Sequence, residues 1–260
     1  MVIDDVKVSE AIIKTFNEKL LAHLENDVVV AGGGPAGLYA AGTLAAMGYK
    51  VALFERTLSI GGGMWGGGIG RNIIVFQEES IRLLDEIGIR YKHYKEGYYT
   101  ASSIETVAAL ILRAERSGVA IFNLTEVEDV MINNERIVGV VINSSPITIA
   151  GLHVDPVAVS SKYVIESTGH PLEVLRKVQA KTDLRMKTPS GKIEGERSMN
   201  ANLGEASTPE NTVEIVPGLF VAGMAANAAF GSYRMGPIFG GMLLSGEKVA
   251  KDIDRLLGRS

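Results

Sequence analysis

Apolar positions along the chain follow two different periods. Residues 9–24 place Ile12, Ile13, Phe16, Leu20, Leu21 and Leu24 at the spacing of an amphipathic helix, with Ser9 as the expected N-cap. Val28 to Ala31 is instead a continuous apolar run. It leads into Gly-Gly-Gly-Pro-Ala-Gly, a helix-like stretch over 36–47, Gly48 and a second apolar run from Val51 to Glu55. Strands that do not alternate are buried on both faces, so this β-turn-α-β unit predicts a parallel sheet covered by helices. The spacing further predicts a helix around 78–87 and a short strand near 89–94. A capping box, Ser102-Ser103-Ile104-Glu105, predicts a helix running to Arg116. Residues 120–124, 126–132 and 137–142 read as a small β meander with a turn at Asn133-Asn134. Residues 143–161 have no clear period, Lys162 to Glu166 is another apolar strand, and a helix follows to about Gln179. Residues 181–215 are polar and read as an ordered surface loop. Gly218 to Gly223 reads as a strand and 236–257 as a long C-terminal helix. The expected architecture is one α/β domain over residues 1–260, with a β insertion around 120–145.

Glycine sharpens this picture, because 16 of the 30 glycines fall within residues 32–37, 61–70 and 231–246. Such clustering marks places where backbone must approach something closely. Gly32-Gly33-Gly34-Pro35-Ala36-Gly37 fits the G-x-G-x-x-G dinucleotide fingerprint. Gly32 permits the tight turn, Gly34 lets backbone reach a pyrophosphate at the helix N-terminus, and Gly37 allows close helix–strand packing. Glu55 stands 21 residues after Gly34 at the end of the next strand, where a carboxylate binds a ribose diol.

Composition then excludes several chemistries. The chain has no cysteine, which removes disulfides, a thiolate nucleophile, Cys-ligated zinc and iron–sulfur clusters held by its own thiolates. A net charge of −4 gives no bulk attraction to nucleic acid or anionic lipid. No apolar run reaches the roughly 20 residues that span a bilayer, and Asp4, Asp5, Lys7 and Glu10 replace the apolar region of a signal peptide, so a cytoplasmic location is expected.

Glu55-Arg56, the glycine-rich loop after them, Lys162 to Gly169 and Pro217 to Gly223 resemble the two-dinucleotide-binding-motif flavoproteins. That resemblance implies a Rossmann-like parallel sheet with the meander inserted. In those flavoproteins the last motif continues with an Asp that binds the ribityl chain of FAD. Here the next residue is Met224, which asks for an ADP-ribose ligand without a ribityl flavin.

Four further motifs, Gly61 to Gly70 (GGGMWGGGIG), Leu152-His-Val-Asp-Pro156, Ser167-Thr-Gly-His-Pro171 and Gly231 to Met242 (GSYRMGPIFGGM), resemble the thiazole synthases of thiamine biosynthesis over nearly the whole chain. The resemblance implies that NAD is a consumed substrate: nicotinamide leaves, the ADP-ribose isomerises to a ketone and condenses with glycine, sulfur enters, and dehydration and cyclisation give ADP-5-ethyl-4-methylthiazole-2-carboxylate. Fungal and plant members donate sulfur from their own cysteine, two residues before an Asp-Pro pair. This chain has His153 there, before Asp155-Pro156, so the similarity is to the archaeal-type synthases that turn over repeatedly with free sulfide and Fe(II).

The same resemblance implies nucleotide contacts at Gly32, Gly34, Ala36, Gly37, Glu55, Arg56, Gly63, Val127, His153, Val154, Asp155 and Met224. It implies His170 and Asp155 as the iron ligands, with Asp155 supplied by a neighbouring subunit of a homo-octamer, and Arg234 on the carboxylate of glycine. One imidazole and one carboxylate leave coordination positions open for substrate and sulfide. His153 suits general acid/base work near neutral pH, or else contacts NAD only through its backbone. His23 and His93 read as surface or packing residues, and Trp65 as either a lid or core packing. Two other functions share the nucleotide fingerprint: an FAD-dependent oxidoreductase of the same superfamily and a non-catalytic NAD or ADP-ribose binding protein. Sugar-phosphate isomerase chemistry is a weaker fourth.

Overall fold

A computed structural model of the chain describes residues 2–258. Helix α1 (Asp5–Ala22) precedes the nucleotide-type unit β1 (Glu25–Ala31), α2 (Pro35–Ala46) and β2 (Val51–Phe54). A 3₁₀ turn over Gly62–Gly66 leads to β3 (Ile73–Gln77), α3 (Glu78–Ile87), β4 (Tyr91–Lys95), β5 (Tyr98–Ser102), α4 (Ser103–Arg116) and β6 (Ala120–Phe122). Next come β7 (Thr125–Asn133), β8 (Arg136–Ser144), α5 (Ser145–Ile149), β9 (Val157–Glu166) and α6 (Glu173–Lys181). The chain ends with β10 (Arg197–Met199), α7 (Ala201–Glu210), β11 (Glu214–Val216), β12 (Leu219–Val221), α8 (Met224–Phe230), β13 (Tyr233–Arg234) and α9 (Gly240–Leu257).

The central sheet runs β11-β12-β9-β1-β2-β6, parallel at every pairing except β11 with β12. Alternate residues of β1 feed the two cores. Val28 and Val30 pack under Leu38, Leu44, Leu110 and Leu243 on one face, while Val29 and Ala31 meet Leu175, Ala225 and the β7–β8 hairpin on the other. The α/β, mostly parallel architecture is the one the unbroken strands predict. β6 is fully buried at the edge of this sheet rather than part of a meander. β7 and β8 form an antiparallel hairpin joined to the sheet through β8 and the first half of β9. Its turn is centred one residue beyond the expected one, on Asn134 and Glu135, which both take positive φ as a two-residue hairpin turn requires.

Several elements depart from the periodicity reading. Asp4, not Ser9, caps α1: its carboxylate accepts from the Val6 and Lys7 amides, while the Ser9 hydroxyl donates to the Asp5 carbonyl within the helix. None of α1 is buried. Val6, Ile12, Ile13 and Leu21 face outward, and Phe16 meets Phe122 edge-on. β3 and β5 were not expected; with β4 they form a three-stranded antiparallel sheet. β9 begins at Val157, earlier than its apolar half, because its polar N-terminal half pairs with β8. α8 was likewise not expected as a separate helix. The segment 181–215 holds β10, α7 and β11. Its polarity is misleading because Glu205, Thr208 and Thr212 are buried. α9 starts at Gly240 rather than 236, since 237–239 bridges β3: the Val75 amide donates to the Pro237 carbonyl and the Phe239 amide to the Val75 carbonyl.

Glu205 sits under the N-terminus of α9. Its Oε2 accepts from the Gly241 amide and from Gln77 Nε2, whereas its Oε1 and Gln77 Oε1 are buried without a partner. Burial raises this carboxyl from 4.5 to about 7 against those two donors. Folding therefore favours the protonated form. Its contribution is complete below pH 4.5 and is lost as pH rises through 7. The loss is about 3 kcal/mol at 1.36 kcal/mol per unit. Urea unfolding at pH 5 and pH 8 will show this loss, and Glu205→Gln will remove most of it; an unchanged pH slope in the variant would contradict the assignment.

Candidate functional site

The C-terminal ends of β1, β2, β9 and β12 open on one cleft of about 1390 Å³, where a doubly wound sheet places its ligands. The glycine loop forms its floor. Gly32 has φ +97°, and a Cβ there would lie 2.6 Å from the Ser167 carbonyl oxygen, so both conformation and space demand glycine. A Cβ at Gly37 would lie 2.3 Å from the Gly32 carbonyl oxygen. That is the close packing expected of the third fingerprint glycine. The Ser167 hydroxyl ties the two strand ends together, within bonding distance of the Ala31 and Gly32 carbonyls (2.8 and 2.9 Å).

Glu55 is 7% exposed and is engaged by the loop itself. Its Oε2 accepts from the Gly33 amide and its Oε1 from the Thr57 amide and hydroxyl, each at 2.8 Å. A carboxylate has about four lone-pair sites, so acceptor capacity is left for a ribose diol. Arg56 lies beside it, its Nη1 2.5 Å from Glu173 Oε1.

His170 owes its position to a buried carboxylate. Glu166, fully buried at the end of β9, accepts from the Thr168 amide through Oε1 and from the Val174 and Leu175 amides through Oε2. Those are the free amides of the α6 N-terminus and of the turn before it. Burial still pushes the Glu166 carboxyl above its ordinary range. The Thr168 hydroxyl accepts from the Glu173 amide, and Leu172 is held at φ +52°. The turn is thus pinned on both sides, and His170 stands in the cleft wall with Nδ1 2.6 Å from Glu196 Oε1. Glu196 leads into β10, which pairs with β13, the strand that carries Arg234. Glu196, just before β10, and Arg234, on β13, both line the cleft.

Gly32, Gly34, Ala36, Glu55, Arg56, Gly63, Val127, His170, Met224 and Arg234 all line this cleft. Gly37 shapes it from behind. Met224 opens α8 and is 6% exposed. Trp65 flanks the cleft partly exposed, its indole nitrogen donating to the Ile60 carbonyl at 2.7 Å, while the adjacent Met64 fills the core. His153, Val154 and Asp155 are not brought there; they occupy an exposed segment between α5 and β9. His23 packs against Phe122 and His93 against Tyr99, both away from the cleft. Among the described residues, no three His, Cys, Asp or Glu side chains are grouped to hold a metal. Glu166 and Glu196 were not anticipated. Glu166 ends a strand already expected, whereas Glu196 lies in a stretch without periodicity that offers no local signal.

No helix among the described residues is long and apolar enough to cross a membrane. The Thi4 family model matches residues 9–239. A thiamine thiazole synthase of Solidesulfovibrio magneticus is 56% identical over 257 residues, covering 97% of this chain and 98% of that protein. A thiamine thiazole synthase of Methanothermobacter thermautotrophicus is 54% identical over 253 residues with the same coverage. The crystal structure of Thermovibrio ammonificans THI4 superposes with a TM-score of 0.97 at 45% identity, covering 99% of this chain and all of that one. Motif order, fold and full-length similarity agree: the chain belongs to the Thi4 family, that of the thiamine thiazole synthases.

Proposed function

We propose that this enzyme of thiazole biosynthesis converts NAD, glycine and sulfide into ADP-5-ethyl-4-methylthiazole-2-carboxylate, releases nicotinamide, uses Fe(II) and turns over repeatedly. The observation that carries the reading is the single cleft that joins a pyrophosphate-type glycine loop, a strand-end carboxylate, an oriented imidazole and a guanidinium. The loop amides at the start of α2 hold the pyrophosphate, and Glu55 takes the adenosine ribose. Val127 and Arg56 bound that end. Across the cleft, Arg234 pairs with the carboxylate of glycine in the two-pronged geometry a guanidinium favours.

The donor set fits a divalent iron. A Glu196 carboxylate on Nδ1 leaves the other imidazole nitrogen of His170 with its lone pair. One imidazole suits Fe(II), which when bound would act as a Lewis acid toward substrate and hold sulfide. His170 alone leaves room for a second protein donor beside substrate and sulfide. Asp155 supplies it from a neighbouring subunit. Its position outside its own chain's cleft supports that exchange, as does the uncovered apolar face of α1 in a chain expected to form octamers. The sulfur comes from sulfide because no residue of the sequence is a thiol. His153, in the same exposed segment as Asp155, serves a neighbouring site by side chain or backbone.

Purified enzyme given NAD, glycine, sulfide and Fe(II) without oxygen will release several nicotinamides per subunit. Nicotinamide release limited to one per subunit, or formation of the thiazole product without added sulfide, would reject the multi-turnover, sulfide-dependent reading. Arg234→Ala will raise KM for glycine by about 10²-fold or more, the loss of about 3 kcal/mol expected when a charge-assisted pair is removed, with NAD affinity unchanged. Equal losses for both substrates would place Arg234 elsewhere. Mixed oligomers of the inactive variants Asp155→Ala and His170→Ala will recover about one quarter of wild-type activity, the share of sites receiving both intact residues across a subunit interface. No recovery would put both residues in one protomer's site.

A further inference from the structure

We infer that Glu196 is a positioning residue that fixes the tautomer and aim of His170, so that Nε2 is the nitrogen offered to the cleft. The inference rests on the assignment of His170 as a ligand but concerns a residue that neither the motifs nor the fingerprint marks. Glu196 Oε1 lies 2.6 Å from His170 Nδ1. A carboxylate only accepts, so the proton of the neutral ring is on Nδ1 and the lone pair on Nε2. A free imidazole side chain favours the opposite tautomer, so the carboxylate selects the less common one.

The backbone around Glu196 is built to hold it still. The Glu194 and Gly195 amides donate to the Ala229 and Ala228 carbonyls at 3.0 and 3.1 Å, and the Arg197 amide donates to the Ser232 carbonyl at 3.0 Å. Bonds on both sides of Glu196 thus fasten it to the segment that continues into Arg234. The carboxylate side chain is 22% exposed and the imidazole 44%, so the orienting group is the more enclosed partner. His170 is in turn set by the turn that Glu166 pins. Imidazole ligands are generally held in this way by an outer carboxylate, whose loss costs about 10–100-fold in metal affinity.

Nitrogen-15 NMR of the metal-free full-length enzyme at pH 8 tests the tautomer directly, because the chain has only four histidines and His170→Ala identifies the signal. The expected pattern is Nδ1–H in the wild type and Nε2–H in Glu196→Ala. Glu196→Gln, whose amide oxygen still accepts, will retain Nδ1–H. Co(II) titration will show about 10–100-fold weaker binding in Glu196→Ala with NAD affinity unchanged. An Nε2–H wild type, or a Glu196→Ala variant with unaltered tautomer and Co(II) affinity, would overturn the inference. Weakened binding in His170→Ala alone would leave the ligand assignment standing without it. Unweakened Co(II) binding in His170→Ala would overturn both.

Discussion

Everything in the cleft depends on how closely two strand ends approach behind the glycine loop. Gly32 and Ser167 are in contact through backbone, with the Ser167 hydroxyl bridging to the Ala31 and Gly32 carbonyls. A side chain at position 32 would separate β1 from β9 and carry the start of α2 away from the sheet. Gly37 repeats the constraint in the first turn of α2, where a Cβ would lie 2.3 Å from the Gly32 carbonyl oxygen. The loop amides can therefore face a pyrophosphate because nothing stands between the helix and the strands behind it. One approach distance sets both the nucleotide floor and the departure point of the Ser167–Pro171 turn.

From that departure point, position passes through buried polar groups rather than apolar packing. Glu166 is a fully enclosed carboxyl bearing three backbone N–H bonds, and it caps α6 from the side. Desolvation works against its charge and the amide dipoles work for it. A group so balanced is a poor source of stability but a good source of direction, since each bond has one geometry. His170 inherits that direction. Glu196 then meets the imidazole from the position just before β10, whose neighbour β13 bears Arg234. Glu196, which meets that imidazole, and Arg234 thus adjoin one two-stranded support, and a displacement of either strand would disturb both.

The parts legible in the sequence were those with strong local chemistry. β1, α2 and β2 announce themselves because an unbroken apolar strand, a glycine turn and a strand-end carboxylate leave few alternatives. Asn134 and Glu135 could be placed only within a residue, since hairpin register depends on which side of Ile137 faces the core. The region 181–215 was illegible for a physical reason. α7 buries Glu205 and Thr208 where an ordinary helix buries leucine, and Gly204 is there because a Cβ would lie 2.8 Å from the Tyr233 carbonyl oxygen. Glu196 was hidden in the same way. Its partner is 26 residues distant, and nothing in its own neighbourhood distinguishes it from a solvated acid.

The missing thiol and the exposed Asp155 segment bear on each other. A protein that gives up its own sulfur must place a cysteine against its substrate, and the segment carrying it is committed to one reaction. With His153 at that position, the proposed function uses the segment as a ligand and proton-handling arm. An arm serving a neighbouring subunit gains from being well exposed on its own, as residues 150–156 are. Under the proposed function it would also make metal binding contingent on assembly, because an isolated protomer offers His170 with Glu196 beside it. Under the same proposal, the exposure that leaves Asp155 outside its own cleft would tie completion of an iron site to the pairing of subunits, with Glu166 and Glu196 setting the half that each chain builds alone.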